Sequence, residues 1–102
     1  MMWVMVLFDL PVGSRAERKR ATGFRNFLLD QGFEMVQFSV YARFCSGKEQ
    51  AEANTRAIEK QVPKYGKVNI LFFTDKQYEN TISFTGRERS SGPKKPDQLL
   101  LF

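Results

Sequence analysis

Asp9 is the residue of this chain best placed to do chemistry. It ends an apolar run, Trp3-Val4-Met5-Val6-Leu7-Phe8, and stands just before the turn formers Pro11 and Gly13. Side chains alternate along an extended strand, so Asp9 shares a side with Met5 and Leu7. A carboxylate in that position has two uses. It accepts a backbone N–H from the turn that follows, as an Asx turn within Leu10 to Gly13 would, or it holds a hard cation. Were a second copy of the chain to bring its own Asp9 close, the two carboxylates would share a proton or a cation. Magnesium suits such a pair, because it takes one or two protein carboxylates and completes its shell with water and phosphate oxygens. An ion held there would polarise a scissile phosphate and lower the pKa of an attacking water.

Composition narrows the chemistry further. The 102 residues include no histidine and one cysteine, Cys45. Ser-His-Asp and Cys-His nucleophile systems, Cys-rich zinc sites and an intramolecular disulfide are therefore excluded. Cys45 reads as a small buried hydrophobe near a strand end. Sixteen Lys and Arg against eleven Asp and Glu give a net charge of +5, which favours a polyanionic partner through phosphate neutralisation and counterion release. On a helical wheel, Arg15, Arg18, Lys19 and Arg25 fall on one side, opposite Ala21, Phe24, Phe27 and Leu28. No acid interrupts that basic side. It fits a solvated face and a line of phosphate contacts equally well. Glu17, Glu34, Glu49, Glu52 and Glu59 fit helix starts and polar faces more simply than a site.

The elements that must position these residues follow from periodicity. Length points to one domain, and 42% hydrophobic residues, with ten Phe, suffice for a core. Met2 to Asp9 is apolar on both parities and predicts a central strand. It lacks the basic leader and cleavage site of a signal peptide and is too short to span a membrane. Ser14 and Glu17 form a capping box that predicts a helix to about Asp30, with Gly32 just past its end. From Phe33 to Cys45, alternation predicts one long strand. Val36, Phe38, Val40, Ala42 and Phe44 take its core face, and Gln37, Ser39, Tyr41 and Arg43 its polar face. Tyr41 and Arg43 are then candidates for base stacking and phosphate contact, or for burial in an interface. Ser46 and Glu49 predict a second capped helix, carrying Ala51, Thr55, Ile58 and Val62 and ended by Pro63. Lys67 to Thr74 predicts a strand apolar on both faces, and Tyr78 to Thr85 an edge strand.

The class is α+β, a ferredoxin-like β-α-β-β-α-β sandwich, with a domain over 1–86 and a basic linker and apolar tail over 87–102. Two helices cover one face of a sheet, yet Trp3, Met5, Leu7, Leu71 and Phe73 place apolar groups on the other. That face is expected to be a homodimer interface. The tail Leu99-Leu100-Leu101-Phe102 is expected to add an edge strand to the partner subunit's sheet. A single-strand RNA binder of the RRM type would need a Gly-Phe-Gly-Phe-like signature, which Gly66-Lys67-Val68-Asn69 does not supply.

Several segments together resemble the CRISPR-associated Cas-two family. They are Phe8-Asp9-Leu10-Pro11, then Glu17-Arg18-Lys19 leading to Phe24-Arg25-Asn26-Phe27-Leu28-Leu29, then Gly32-Phe33 and Gln37-Phe38-Ser39-Val40-Tyr41. Gly66 to Leu71 and Thr74-Asp75-Lys76-Gln77-Tyr78 continue the match, which covers most of residues 2 to 85 and is most similar to members from type II systems. The resemblance implies a cytoplasmic prokaryotic homodimer that acts with the Cas-one integrase when spacers are inserted into a CRISPR array. It also implies metal-dependent endonuclease activity on single-stranded RNA or double-stranded DNA, with Asp9 as the catalytic aspartate and magnesium ligand at the dimer interface. Arg15, Arg18, Lys19 and Arg25 would contact the backbone of duplex DNA held across the dimer. Some relatives carry a basic residue where this chain has Met35. Two functions follow: a nuclease in which Asp9 holds a metal, and a scaffold that holds duplex DNA for a partner enzyme, with Asp9 merely structural.

Overall fold

Residues 1–90 are described by the structure, a computed structural model. The central strand β1 (Met2–Asp9) pairs antiparallel with β3 (Val40–Cys45) on one side and with β4 (Lys67–Thr74) on the other. β2 (Glu34–Gln37) extends the sheet beyond β3, giving the order β2-β3-β1-β4. Two helices, α1 (Arg15–Asp30) and α2 (Lys48–Glu59), supply Phe24, Leu28, Ala51 and Ile58 to a core built on Val4, Val6, Tyr41 and Cys45. This is the ferredoxin-like β-α-β-β-α-β arrangement.

Helix α1 starts and stops where local chemistry dictates. Ser14 Oγ accepts from the Glu17 N–H at 3.1 Å, and Glu17 Oε1 accepts from the Ser14 N–H at 2.8 Å. Two of the otherwise unpaired first-turn donors are satisfied reciprocally. Past the C-cap Gln31, Gly32 takes a positive φ of 88°, a conformation that suits glycine. Ser14→Ala is expected to lower stability by about 1 kcal/mol, read as a shifted urea midpoint with an unchanged slope.

The structure corrects several expectations. The stretch from Phe33 to Cys45 is a hairpin rather than one strand: β2 turns at Phe38-Ser39 into β3, with Gln37 opposite Val40 and a bulge between Met35 and Gln37. The turn needs a left-handed residue, and Ser39 supplies it with φ 61°. The faces also exchange. Tyr41 and Cys45 point into the helix-packed core, whereas Ala42 and Val36 join Trp3 on the opposite side. Away from the turn, alternation groups residues correctly, but with apolar residues on both parities it does not say which group meets the helices.

The second helix begins later than the Ser46–Glu49 spacing predicts. Its N-cap is Gly47 and bears no side-chain cap, because Ser46 instead turns to Gln50, whose Oε1 accepts from the Ser46 N–H at 2.8 Å. It also ends at Glu59, before Pro63. Tyr78 to Thr85 is not a single edge strand. Thr74 and Gln77 form a capping box that opens α3 (Asp75–Glu79), and only β5 (Ser83–Thr85) is extended, paired with β6 (Glu88–Ser90) in a separate small sheet. The predicted linker from Arg87 thus begins inside this hairpin, and the expected tail strand at Leu99 to Phe102 lies outside the described residues.

Helix α3 packs on the sheet face that α1 and α2 leave open. Its Tyr78 ring stacks on Trp3, centroids 4.2 Å apart and planes 11° from parallel, and Trp3 Nε1 donates to Asp75 Oδ1 at 2.9 Å. One end of that face is therefore closed. The other end runs through half-buried Met5, Leu7 and Val40 and exposed Leu71 to Asp9. Among the described residues, no helix is long and apolar enough to cross a membrane.

Candidate functional site

Asp9 is the last residue of β1, directly opposite Lys67 at the start of β4. Gly66 holds the two strand ends together. It adopts φ 100°, and a Cβ there would lie 2.7 Å from the Asp9 carbonyl oxygen and 2.9 Å from Leu10 Cδ2. A side chain has no room, so β4 passes this close to the turn after β1 only through glycine. The Asx turn open to Asp9 is not formed. Its side chain is exposed, and no hydrogen bond or ion pair to another described residue engages the carboxylate.

A groove of about 390 Å³ opens beside this strand end, between the outer face of α1 and the β2–β3 turn. Asp9, Arg18, Arg25, Phe38, Ser39 and Tyr41 are among its lining residues. Arg18 is steadied by donating from Nη1 to the Val12 carbonyl at 3.2 Å. Burial pushes the Tyr41 hydroxyl above its ordinary pKa, and the Arg25 cation beside it pulls partly back. The buried Tyr41 ring lies nearly parallel to Phe8, 5.7 Å between centroids, and forms part of the floor.

Of the four cations singled out on α1, the groove gathers Arg18 and Arg25 with Asp9, while Arg15 and Lys19 are exposed on α1 outside it. None of the four is in an ion pair among the described residues, where Lys48–Glu52 is the one salt bridge. Their charge is uncompensated and available to an anion. Arg43 is placed elsewhere. Its Nη1 donates to the Gln31 carbonyl at 2.7 Å and to Asn54 Oδ1 at 2.9 Å, clamping the end of α1 and the middle of α2 against β3. Asn54 in turn donates to the buried Cys45 Sγ at 3.3 Å. Arg43 is thus a structural cation and no phosphate contact, and burial removes Tyr41 as a stacking surface.

The donor set can be matched to a metal. No group of three His, Cys, Asp or Glu gathers among the described residues. Zinc, which takes three or four protein ligands, has no home here. Magnesium fits better, because it keeps most of its water and needs one or two carboxylates alongside substrate phosphates. Asp9 offers one such carboxylate, uncommitted and at a groove that Arg18 and Arg25 also line.

The groove also holds a residue that periodicity misplaces. Phe38, assigned by alternation to the core face, is 85% exposed at the hairpin tip. Gln37-Phe38-Ser39-Val40 contains no Gly, Pro, Asn or Asp to signal a turn. The Phe8 N–H donates to the Ser39 carbonyl at 3.1 Å and ties the tip to β1.

Comparison with known proteins bears on the same residues. A family model described as CRISPR associated protein Cas2 matches residues 2–81, which include every groove residue named above. A protein of Paracidovorax avenae named "CRISPR-associated endoribonuclease Cas2" is 58% identical over 102 residues, covering 100% of this chain and 94% of its own. Proteins of the same name from Flavobacterium psychrophilum and Parvibaculum lavamentivorans are 45% and 40% identical, each over 99% of this chain and over 88% and 100% of theirs. With its antiparallel ferredoxin-like sheet and its strand-end aspartate, the chain belongs to the CRISPR associated protein Cas2 family.

Proposed function

We propose that the chain is a magnesium-dependent endonuclease that works as a homodimer on single-stranded RNA or duplex DNA, and that it acts with the Cas-one integrase in spacer insertion. The name shared by its relatives, endoribonuclease, supports the hydrolytic part. The observation that carries it is the groove itself, whose lining combines an exposed, uncommitted carboxylate with two cations that have no ion-pair partner in the described chain.

Each group has a part. Arg18 and Arg25 bind the phosphate backbone and fix its register beside Asp9, a charge-assisted contact that guanidinium geometry suits. Asp9 would hold magnesium, which when bound supplies Lewis-acid polarisation of a phosphate oxygen and a water of lowered pKa. The open end of the α3 face supports the dimer, since its apolar groups lead to Asp9 and a two-fold partner would bring a second carboxylate to the first.

Magnesium removal tests this reading. With labelled single-stranded RNA and duplex DNA, cleavage is expected with magnesium, is expected to vanish in EDTA, and is expected to return when the ion is restored. Cleavage indifferent to chelation, or none with either substrate, overturns it.

A second reading is favoured by Arg15 and Lys19, whose charge continues along α1 outside the groove. A surface that extends past the carboxylate suits a scaffold holding duplex DNA for the integrase. Spacer insertion by a protein that cleaves nothing would select it.

A further inference from the structure

We propose that Phe38 is the stacking platform for one unpaired nucleobase, so that the groove recognises single-stranded rather than paired nucleic acid. The inference rests on the nucleic-acid reading above and names its substrate class. Phe38 is 85% exposed, at a turn position that polar residues and glycine usually fill. An apolar ring left in water there gains nothing for the fold. The backbone that carries it is held in place. Ser39 takes its left-handed conformation beside it, Gln37 pairs with Val40 across the turn, and the Phe8 N–H donates to the Ser39 carbonyl. The ring is presented at the rim of a groove whose other members include Arg18 and Arg25.

The chemistry of these neighbours selects the occupant. Two guanidinium groups ask for phosphate, and an exposed aromatic face asks for a flat π-surface; a nucleotide carries both. The groove volume of about 390 Å³ lies within the roughly 300–1,000 Å³ of clefts that hold small molecules. Within a duplex each base face is covered by its neighbours, whereas a single strand can turn a base out onto an aromatic ring. Tyr41, the hydroxyl-bearing ring of the groove, is buried and unavailable for stacking.

The test uses the full chain and oligonucleotides carrying 2-aminopurine, whose fluorescence is quenched by stacking. The wild type is expected to quench a single-stranded RNA probe on binding. Phe38→Ala is expected to abolish the quench and weaken single-strand affinity about 5- to 100-fold, with duplex affinity unchanged, and Phe38→Trp is expected to restore both. The fold should tolerate these changes, because the ring is outside the core. Unchanged single-strand affinity in Phe38→Ala overturns the proposal, as does equal loss for single strand and duplex. So does a shift from dimer to monomer in sedimentation, which would assign the ring to a protein interface. Arg18→Ala/Arg25→Ala separates the two readings. If it weakens binding while Phe38→Ala does not, the stacking inference alone fails; if neither matters, the groove is not the binding site and both fail.

Discussion

Asp9→Asn is expected to lower magnesium-dependent cleavage by roughly two to three orders of magnitude while leaving the thermal unfolding curve in place. The two halves of that result come from one observation. The Asp9 side chain is exposed and makes no hydrogen bond or ion pair with another described residue, so the fold loses nothing when its charge goes; surface changes of this kind fall within about 0.5 kcal/mol. Asparagine keeps the shape and an acceptor oxygen, but it lacks the negative charge that draws a divalent ion from water. Activity lost with stability kept assigns a chemical role to the carboxylate. Retained cleavage would show that hydrolysis does not depend on Asp9. If Asp9→Asn loses cleavage yet still supports spacer insertion with the integrase, the two activities are separable.

Gly66→Ala should do the reverse and strike the fold first, by about 2–5 kcal/mol. Two terms add. An L-residue at φ 100° is strained, and its Cβ would fall 2.7 Å from the Asp9 carbonyl oxygen, a backbone atom that cannot swing aside. A small domain is stable by roughly 5–15 kcal/mol in total, so this loss is a large fraction and is readable as a lowered urea midpoint. Relief of the clash requires β4 to move away from the strand end that bears Asp9. Such a variant should lose cleavage together with stability, in contrast to Asp9→Asn. A Gly66→Ala protein as stable as the wild type would show that the β1–β4 junction is looser than its geometry implies.

Much of the scaffold can be read from residue order alone, because some signals are local. The Ser14–Glu17 box and Gly32 bracket α1 correctly, since capping involves residues within one turn of each other. The run from Trp3 to Phe8 serves two apolar layers, as its double parity implies. The β2–β3 hairpin is hidden for the opposite reason. Its alternation continues through Phe38-Ser39, and the left-handed turn falls on a serine, so nothing in composition marks the reversal. Thr74-x-x-Gln77 does carry a capping signal, masked by the apolar strand that precedes it.

The site divides along the same line. Asp9 stands out because it interrupts its own strand pattern. A helical wheel places Arg15, Arg18, Lys19 and Arg25 on one side of α1, but it does not say which of them faces the β2–β3 turn; that depends on how α1 sits on the sheet, and only Arg18 and Arg25 reach the groove. Phe38 enters the site through the hairpin alone, and Arg43 leaves it for the carbonyl of Gln31.

The contact between α3 and the sheet has a practical side. Trp3 is the chain's one tryptophan, and its indole is covered by the Tyr78 ring and tied to Asp75. Tryptophan emission from this protein, excited selectively over its three tyrosines, therefore comes from a single indole beneath a five-residue helix, across the sheet from the Val4 and Leu28 core. An unfolding curve followed by that emission reports when α3 lifts off, whereas circular dichroism reports α1 and α2. The two traces superimpose only if both layers of the sheet come apart as one cooperative unit.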